Sequence, residues 1–363
     1  MAETRLDGTR KDKEMEIMER NNKGEALSQH TQYYQNKLDV LVDVFGAKNV
    51  QLADDSLLVD GKRYPIVDDV IILIDPLQYP PIVRERLQVR EPSEMMEAYA
   101  PDIQDHYSKF WDEWPGMQSH YEQEFNGYFD LIDLSTLRDK RVCDLGCGMG
   151  RWSYMLAERV RLRELVLVDF SEAIFTARRL FHKHDNVLFI MGDILRLPFR
   201  PDYADFIMSL GVLHHLPDDC LKVVRSLKPY AQRLLVYLYY ALDNKPFYYR
   251  WLLRAYTPLR RLMCHIHSPH VRVAFSWFAV IGFYIPFIVI GSLLRPFGLS
   301  KYVPLYDEHH WAELEGMRHS AYDRFFTRIE QRVTRRQIES LRDSFSKVSV
   351  ADGQAYWHFV CER

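Results

Sequence analysis

Apolar residues along this chain gather into short unbroken runs, each closing on a polar or glycine-rich turn. Val142-Cys143, Leu165 to Val168, Val187 to Ile190, Ala204 to Ser209 and Arg233 to Tyr239 are five such runs. Runs that are apolar at consecutive positions predict strands buried on both faces, as in a parallel sheet. Between them, Trp152 to Arg161 and Glu172 to His184 carry apolar residues at helical spacing. Strands therefore alternate with helices, the pattern of an α/β fold. Near the end, Thr334 to Phe345 predicts a last helix. Val348-Ser349-Val350 and Tyr356 to Val360 predict a closing antiparallel hairpin.

Ahead of this core the pattern changes. The first 28 residues are polar and of mixed charge, so residues 1–30 are expected to be disordered. Leu57-Leu58-Val59, the turn Asp60-Gly61-Lys62 and Arg63 to Val67 read as a hairpin, and Val70 to Ile74 as a buried strand. Residues 31–78 thus predict a small β-rich module, with Tyr79-Pro80-Pro81 as a stiff connector. Residues 79–137 form a connector and an aromatic helical lid, in which Tyr107, Trp111 and Trp114 are candidate contacts for a cation or a substrate.

Candidate chemistry sits where the runs end. Asp144-x-Gly146-x-Gly148-x-Gly150 carries an acid into a glycine turn, where the backbone can approach a ligand closely. Asp169 ends the next run about twenty residues later, where an acid can accept hydrogen bonds from ribose hydroxyls. Gly192-Asp193-Ile194 ends the third run, and Gly211-Val212-Leu213-His214-His215 follows the fourth. All four ends converge on one edge of a parallel sheet, where open α/β folds bind ligands.

This ordered set, over roughly residues 137–240, resembles the class I S-adenosylmethionine-dependent methyltransferases. The resemblance implies a Rossmann-like, seven-stranded methyltransferase sheet over residues 138–363, with S-adenosyl-L-methionine as cofactor. It also implies the cofactor contacts. Asp144 with Gly146, Gly148 and Gly150 would hold the methionine end and the ribose side, and Asp169 the ribose hydroxyls. Phe170 would pack on adenine, Asp193 and Ile194 would border the base, and Leu210 with Gly211 would underlie the methionine portion. The stretch from Asp60 to Val70 resembles a Trm112-like module without that module's zinc cysteines, so no metal is expected. A small β-cap without activity of its own is the favoured reading of it.

Between the fifth strand and the last helix lie about ninety residues, far more than a connection needs. From Asn244 to Tyr306 there is no Asp or Glu, while Lys245, Arg250, Arg254, Arg260, Arg261, Arg272, Arg295 and Lys301 are cationic. Val273 to Leu294 is uncharged and long enough to cross a bilayer. Three arrangements fit this helical insertion, residues 244–306. It lies in an anionic membrane surface, bent at Gly282, Pro286 and Gly291; it caps the substrate cavity or forms an oligomer face; or it spans. A single span would divide the sheet between two sides of the membrane, so the first two are favoured. The apolar length disfavours nucleic acid.

Methyl transfer requires alignment and in some cases a base. His214 and His215 are the candidates, since imidazole titrates near neutrality, although a structural role competes. His309, His310, Tyr322, Asp323 and Arg324 follow the insertion and are substrate-side candidates. The net charge of −3 says little about partners, and five cysteines without CxxC spacing suggest neither a disulfide framework nor a zinc knuckle. With no apolar leader, a cytoplasmic protein, peripheral at the membrane if the insertion meets lipid, is expected. Two functions follow. One is methyl transfer to a small-molecule or lipid-linked acceptor. The other is a cofactor-binding scaffold on the same fold, without turnover.

Overall fold

A computed structural model describes residues 32–90, 104, 121–266, 268–352 and 357–363. The aromatic candidates Tyr107, Trp111 and Trp114 lie outside these residues.

Four short strands come first: β1 (Val50–Ala53), β2 (Ser56–Val59), β3 (Lys62–Val67) and β4 (Val70–Ile72). The core strands follow as β5 (Arg141–Leu145), β6 (Glu164–Asp169), β7 (Val187–Met191), β8 (Phe206–Leu210) and β9 (Arg233–Leu238). The chain closes with β10 (Lys347–Val350) and β11 (Trp357–Glu362). All eleven form one continuous sheet in the order β1-β2-β3-β4-β7-β6-β5-β8-β9-β11-β10. The five core strands run parallel and are buried along almost their whole length, as their unbroken apolar runs require. β11 pairs antiparallel with both β9 and β10.

The expected seven strands are a part of this sheet, and the expected β-rich stretch, residues 31–78, contributes its first four strands. β1 to β4 form an antiparallel meander. β4 then pairs parallel with β7, Ile71 opposite Ile190. The meander therefore covers the edge that β7 would otherwise expose. Pro81 opens a helix, Pro81–Leu87, where a plain connector is expected.

Arg141 fastens the N-terminal unit to the core. Its buried guanidinium contacts Asp43 at 2.5 Å, Glu164 at 2.9 Å and the Tyr203 carbonyl at 2.9 Å. Removing one member of a buried ion pair leaves charge uncompensated, typically costing about 3 kcal/mol or more. Arg141→Ala is expected to lower stability by about that amount, read from the urea midpoint.

The insertion is helical. Phe247–Met263 is its first helix, and a continuous helix follows over Pro269–Phe297. The expected bend at Gly282 and Pro286 takes the form of a π turn, Val280–Tyr284, a common accommodation where a helical hydrogen bond is missing. Gly291 has a different role: a Cβ there would lie 2.0 Å from the Tyr306 ring, so glycine permits close packing. Arg272, Ser276, Ala279, Val280, Tyr284 and Gly291 are buried, a stripe at helical spacing. Both insertion helices pack on Leu314–Phe326. The last helix is short, Arg335–Glu339, started by a capping box between Thr334 and Gln337 and continued as a 3-10 turn.

Candidate functional site

Strand order reverses beside β5, which has β6 on one side and β8 on the other. A crevice opens at such a switch point, outside the carboxyl ends of the strands. The glycine turn fills its floor. Gly146, Gly148 and Gly150 all have positive φ, at 79°, 55° and 80°. A Cβ on Gly146 would lie 2.4 Å from Val212, so this turn requires glycine for both conformation and space.

Asp169 braces the turn from β6. One carboxylate oxygen accepts the Gly148 amide at 2.7 Å, and the other accepts the Ser171 amide and hydroxyl at 2.8 and 2.6 Å. Burial raises its pKa, and these hydrogen bonds oppose the rise. Asp144 lies deeper. Its carboxylate accepts the Ser153 hydroxyl at 2.7 Å, and burial pushes its pKa up to about 7.

A cavity of about 1180 Å³ starts at this floor. Gly146, Gly148, Asp169, Phe170, Asp193 and Ile194 line one end of it, and Leu210 and Gly211 lie beside them. Asp144 and Gly150 are not in its wall. Asp144 is tied to Ser153 of the following helix, and Gly150 packs toward Phe181 and Ala177. Asp193 also accepts the Leu195 amide at 3.0 Å, which fixes the loop after β7.

The paired histidines divide. His214 is fully buried, stacks on Tyr239 with centroids 3.9 Å apart and does not line the cavity. Burial holds its pKa well below the ordinary value, which suits the structural role better than that of a base. His215 does line the cavity, and its Nδ1 lies 2.7 Å from the Ile329 carbonyl. A carbonyl only accepts, so Nδ1 carries the proton.

Asp323, Arg324 and His309 also line the cavity, whereas Tyr322 is buried away from it and His310 is exposed, stacked on Tyr306. These last two stand outside the cavity wall. Burial lowers His309 to about 4, so it is neutral at neutral pH.

Several wall residues escaped the sequence reading. The Tyr239 hydroxyl donates to Asp323 at 2.5 Å and the Tyr240 hydroxyl to Glu308 at 2.5 Å. Lys245 meets Asp307 at 2.9 Å, and Arg324 meets Glu308 at 3.3 Å. Burial opposes the Glu308 charge, yet Arg324 keeps its pKa below the usual carboxylate range. Together these pairs make a polar collar midway along the cavity. Alternation from β9 onward was the available signal for Tyr237 and Tyr239, which share a face that Leu238 does not, but not for Tyr240. Gln104 donates to the Phe170 carbonyl at 2.9 Å, and Arg151 lies over the Tyr121 and Trp152 rings. Among the described residues no three His, Cys, Asp or Glu side chains cluster as a metal site would need.

Residues 142–230 match the family model described as a methyltransferase domain. A tRNA U34 carboxymethyltransferase of Aliarcobacter butzleri is 33% identical over 119 residues, 31% of this chain and 36% of that protein. A demethylmenaquinone methyltransferase of Staphylococcus aureus is 27% identical over 104 residues, 27% of this chain and 43% of that protein. The chain thus spans less than half the length of these curated relatives. Among solved structures, Haemonchus contortus phosphoethanolamine N-methyltransferase 1 aligns with a TM-score of 0.31 at 20% identity, over 39% of this chain and 33% of that one. Residues 142–230 thus carry a methyltransferase domain, set in a sheet whose order reverses beside β5.

Proposed function

We propose that the protein transfers a methyl group from S-adenosylmethionine to a lipid-linked acceptor at the cytoplasmic surface of a membrane. The observation that carries this reading is the continuity of one cavity. It runs from the glycine turn, past the polar collar, to Leu252, Phe283 and Phe287 of the insertion. At about 1180 Å³ it exceeds the roughly 300–1,000 Å³ of a single-ligand site, leaving room for an acceptor beside the cofactor.

The turn fits the cofactor: positive-φ glycines leave its floor without side chains, and Asp169 stands in the same wall. Asp169 would hold the ribose, and Phe170 with Ile194 the adenine. When bound, S-adenosylmethionine supplies a methyl group already activated on a sulfonium. The chain's own work is then alignment and exclusion of water. The Ile329 carbonyl holds the His215 ring by Nδ1 in the cavity wall, where it can orient an acceptor.

The insertion supports the membrane surface. Among the described residues, all exposed large apolar side chains except Leu77 and Val89 fall between Phe247 and Leu314. Arg250, Arg254, Arg261, Arg295 and Lys301 are exposed around them, each worth about 1 kcal/mol near an anionic surface. Only 22% of the most apolar window of the long helix is buried. Its packing on Leu314–Phe326 and the return of the chain to β10 and β11 suit a helix lying in the interface. The five cysteines are free thiols, suited to a reducing compartment.

Calorimetry with S-adenosylhomocysteine and flotation with vesicles test the two halves of the proposal separately. One binding site per chain and flotation with anionic vesicles are expected. No heat of binding would remove the cofactor reading, and no flotation the membrane reading.

A further inference from the structure

Exposed side chains of the insertion also line the cavity. Leu252 and Leu259 on Phe247–Met263, and Phe283 in the π turn, are cavity-lining residues. They are also 45%, 39% and 42% exposed. Their neighbours on the same helices, Trp251, Leu262 and Phe278, are exposed without lining the cavity. The Phe278 and Phe283 rings are in contact, with centroids 6.1 Å apart. The apolar wall of the cavity therefore continues onto the outer apolar face without a polar break.

We propose that the cavity opens here as a side port, through which the long apolar tail of an amphiphile extends toward the bilayer while its polar head sits at the collar. The proposal rests on the membrane reading above and names its substrate class. The head is an uncharged, hydroxyl-bearing group. In the collar Lys245 faces Asp307 and Arg324 faces Glu308, and Asp323 adds a further carboxylate. Arg332, also in the cavity wall, meets Glu330 at 2.6 Å. Such a ring has no surplus of positive charge for a phosphate, whereas its carboxylates and phenols can hydrogen-bond a neutral hydroxyl. The port residues are aliphatic or aromatic and offer a tail only apolar contact.

The test uses the full chain with S-adenosylhomocysteine present and two fluorescent alcohols, pyrene-decanol and pyrenemethanol. The long-chain alcohol is expected to bind about tenfold or more tightly than the short one. Phe283→Glu and, from the first insertion helix, Leu252→Glu each place a carboxylate in the port. Each is expected to weaken pyrene-decanol binding about tenfold or more while S-adenosylhomocysteine affinity stays the same. Leu293→Glu, exposed on the long helix but outside the cavity, is expected to leave both unchanged. Equal binding of the two alcohols, or equal losses in the Leu293 and port variants, overturns the port. A chain that binds pyrene-decanol through Phe283 and Leu252 but no S-adenosylhomocysteine keeps the port and overturns the cofactor reading instead.

Discussion

Asp169→Ala is expected to weaken S-adenosylhomocysteine binding by about 100-fold. Hydrogen bonds to a charged acceptor contribute about 1.5–3 kcal/mol each, and two ribose hydroxyls make about 3 kcal/mol a conservative sum, or roughly 100-fold. The substitution also releases the Gly148 amide, which Asp169 accepts at 2.7 Å, so the turn loses its brace as well as the proposed ribose acceptor. Calorimetry on the variant and the wild type measures this directly. Equal affinities would show that the ribose lies elsewhere.

Paired substitution of Trp251 and Phe297 by Glu is expected to abolish flotation with anionic vesicles. These side chains are 68% and 75% exposed, so neither contributes much to the folded core. An aromatic side chain buries about 150–250 Å². At about 25 cal/mol per Å², half-burial of both gives roughly 4 kcal/mol, near a thousandfold in partitioning. S-adenosylhomocysteine binding should be unaffected, because neither residue lines the cavity. Undiminished flotation would place the membrane contact elsewhere on the chain.

The core was legible because each of its strands is apolar at nearly every position, and because the acid and glycine positions stand at strand ends. The pairing of β4 with β7 was not. It joins Ile71 to Ile190, far apart in the chain, and local pattern carries no information about such a partner. The histidine pair shows a second limit. The two rings in the tight turn Leu213–His215 lie 4.0 Å apart, yet only His215 lines the cavity, and sequence alone does not say which does. Asp144 shows a third: burial under the turn with Ser153 looks the same in sequence as contact with a ligand. The insertion's composition was plain, but its charges had to be sorted by geometry. Arg260 and Arg272 turn inward to the carbonyls of Thr327 and Ile266, at 2.6 and 2.5 Å, leaving other cations to face outward.

Methyl transfer at a membrane is tested most directly with methyl-tritiated S-adenosylmethionine and vesicles made from a lipid extract of the source cells. Label is expected in the organic phase with the wild-type chain, with a large loss in Asp169→Ala. Binding of the cofactor with all label remaining in water would contradict transfer to a lipid-linked acceptor, and would favour a cofactor-binding scaffold without turnover.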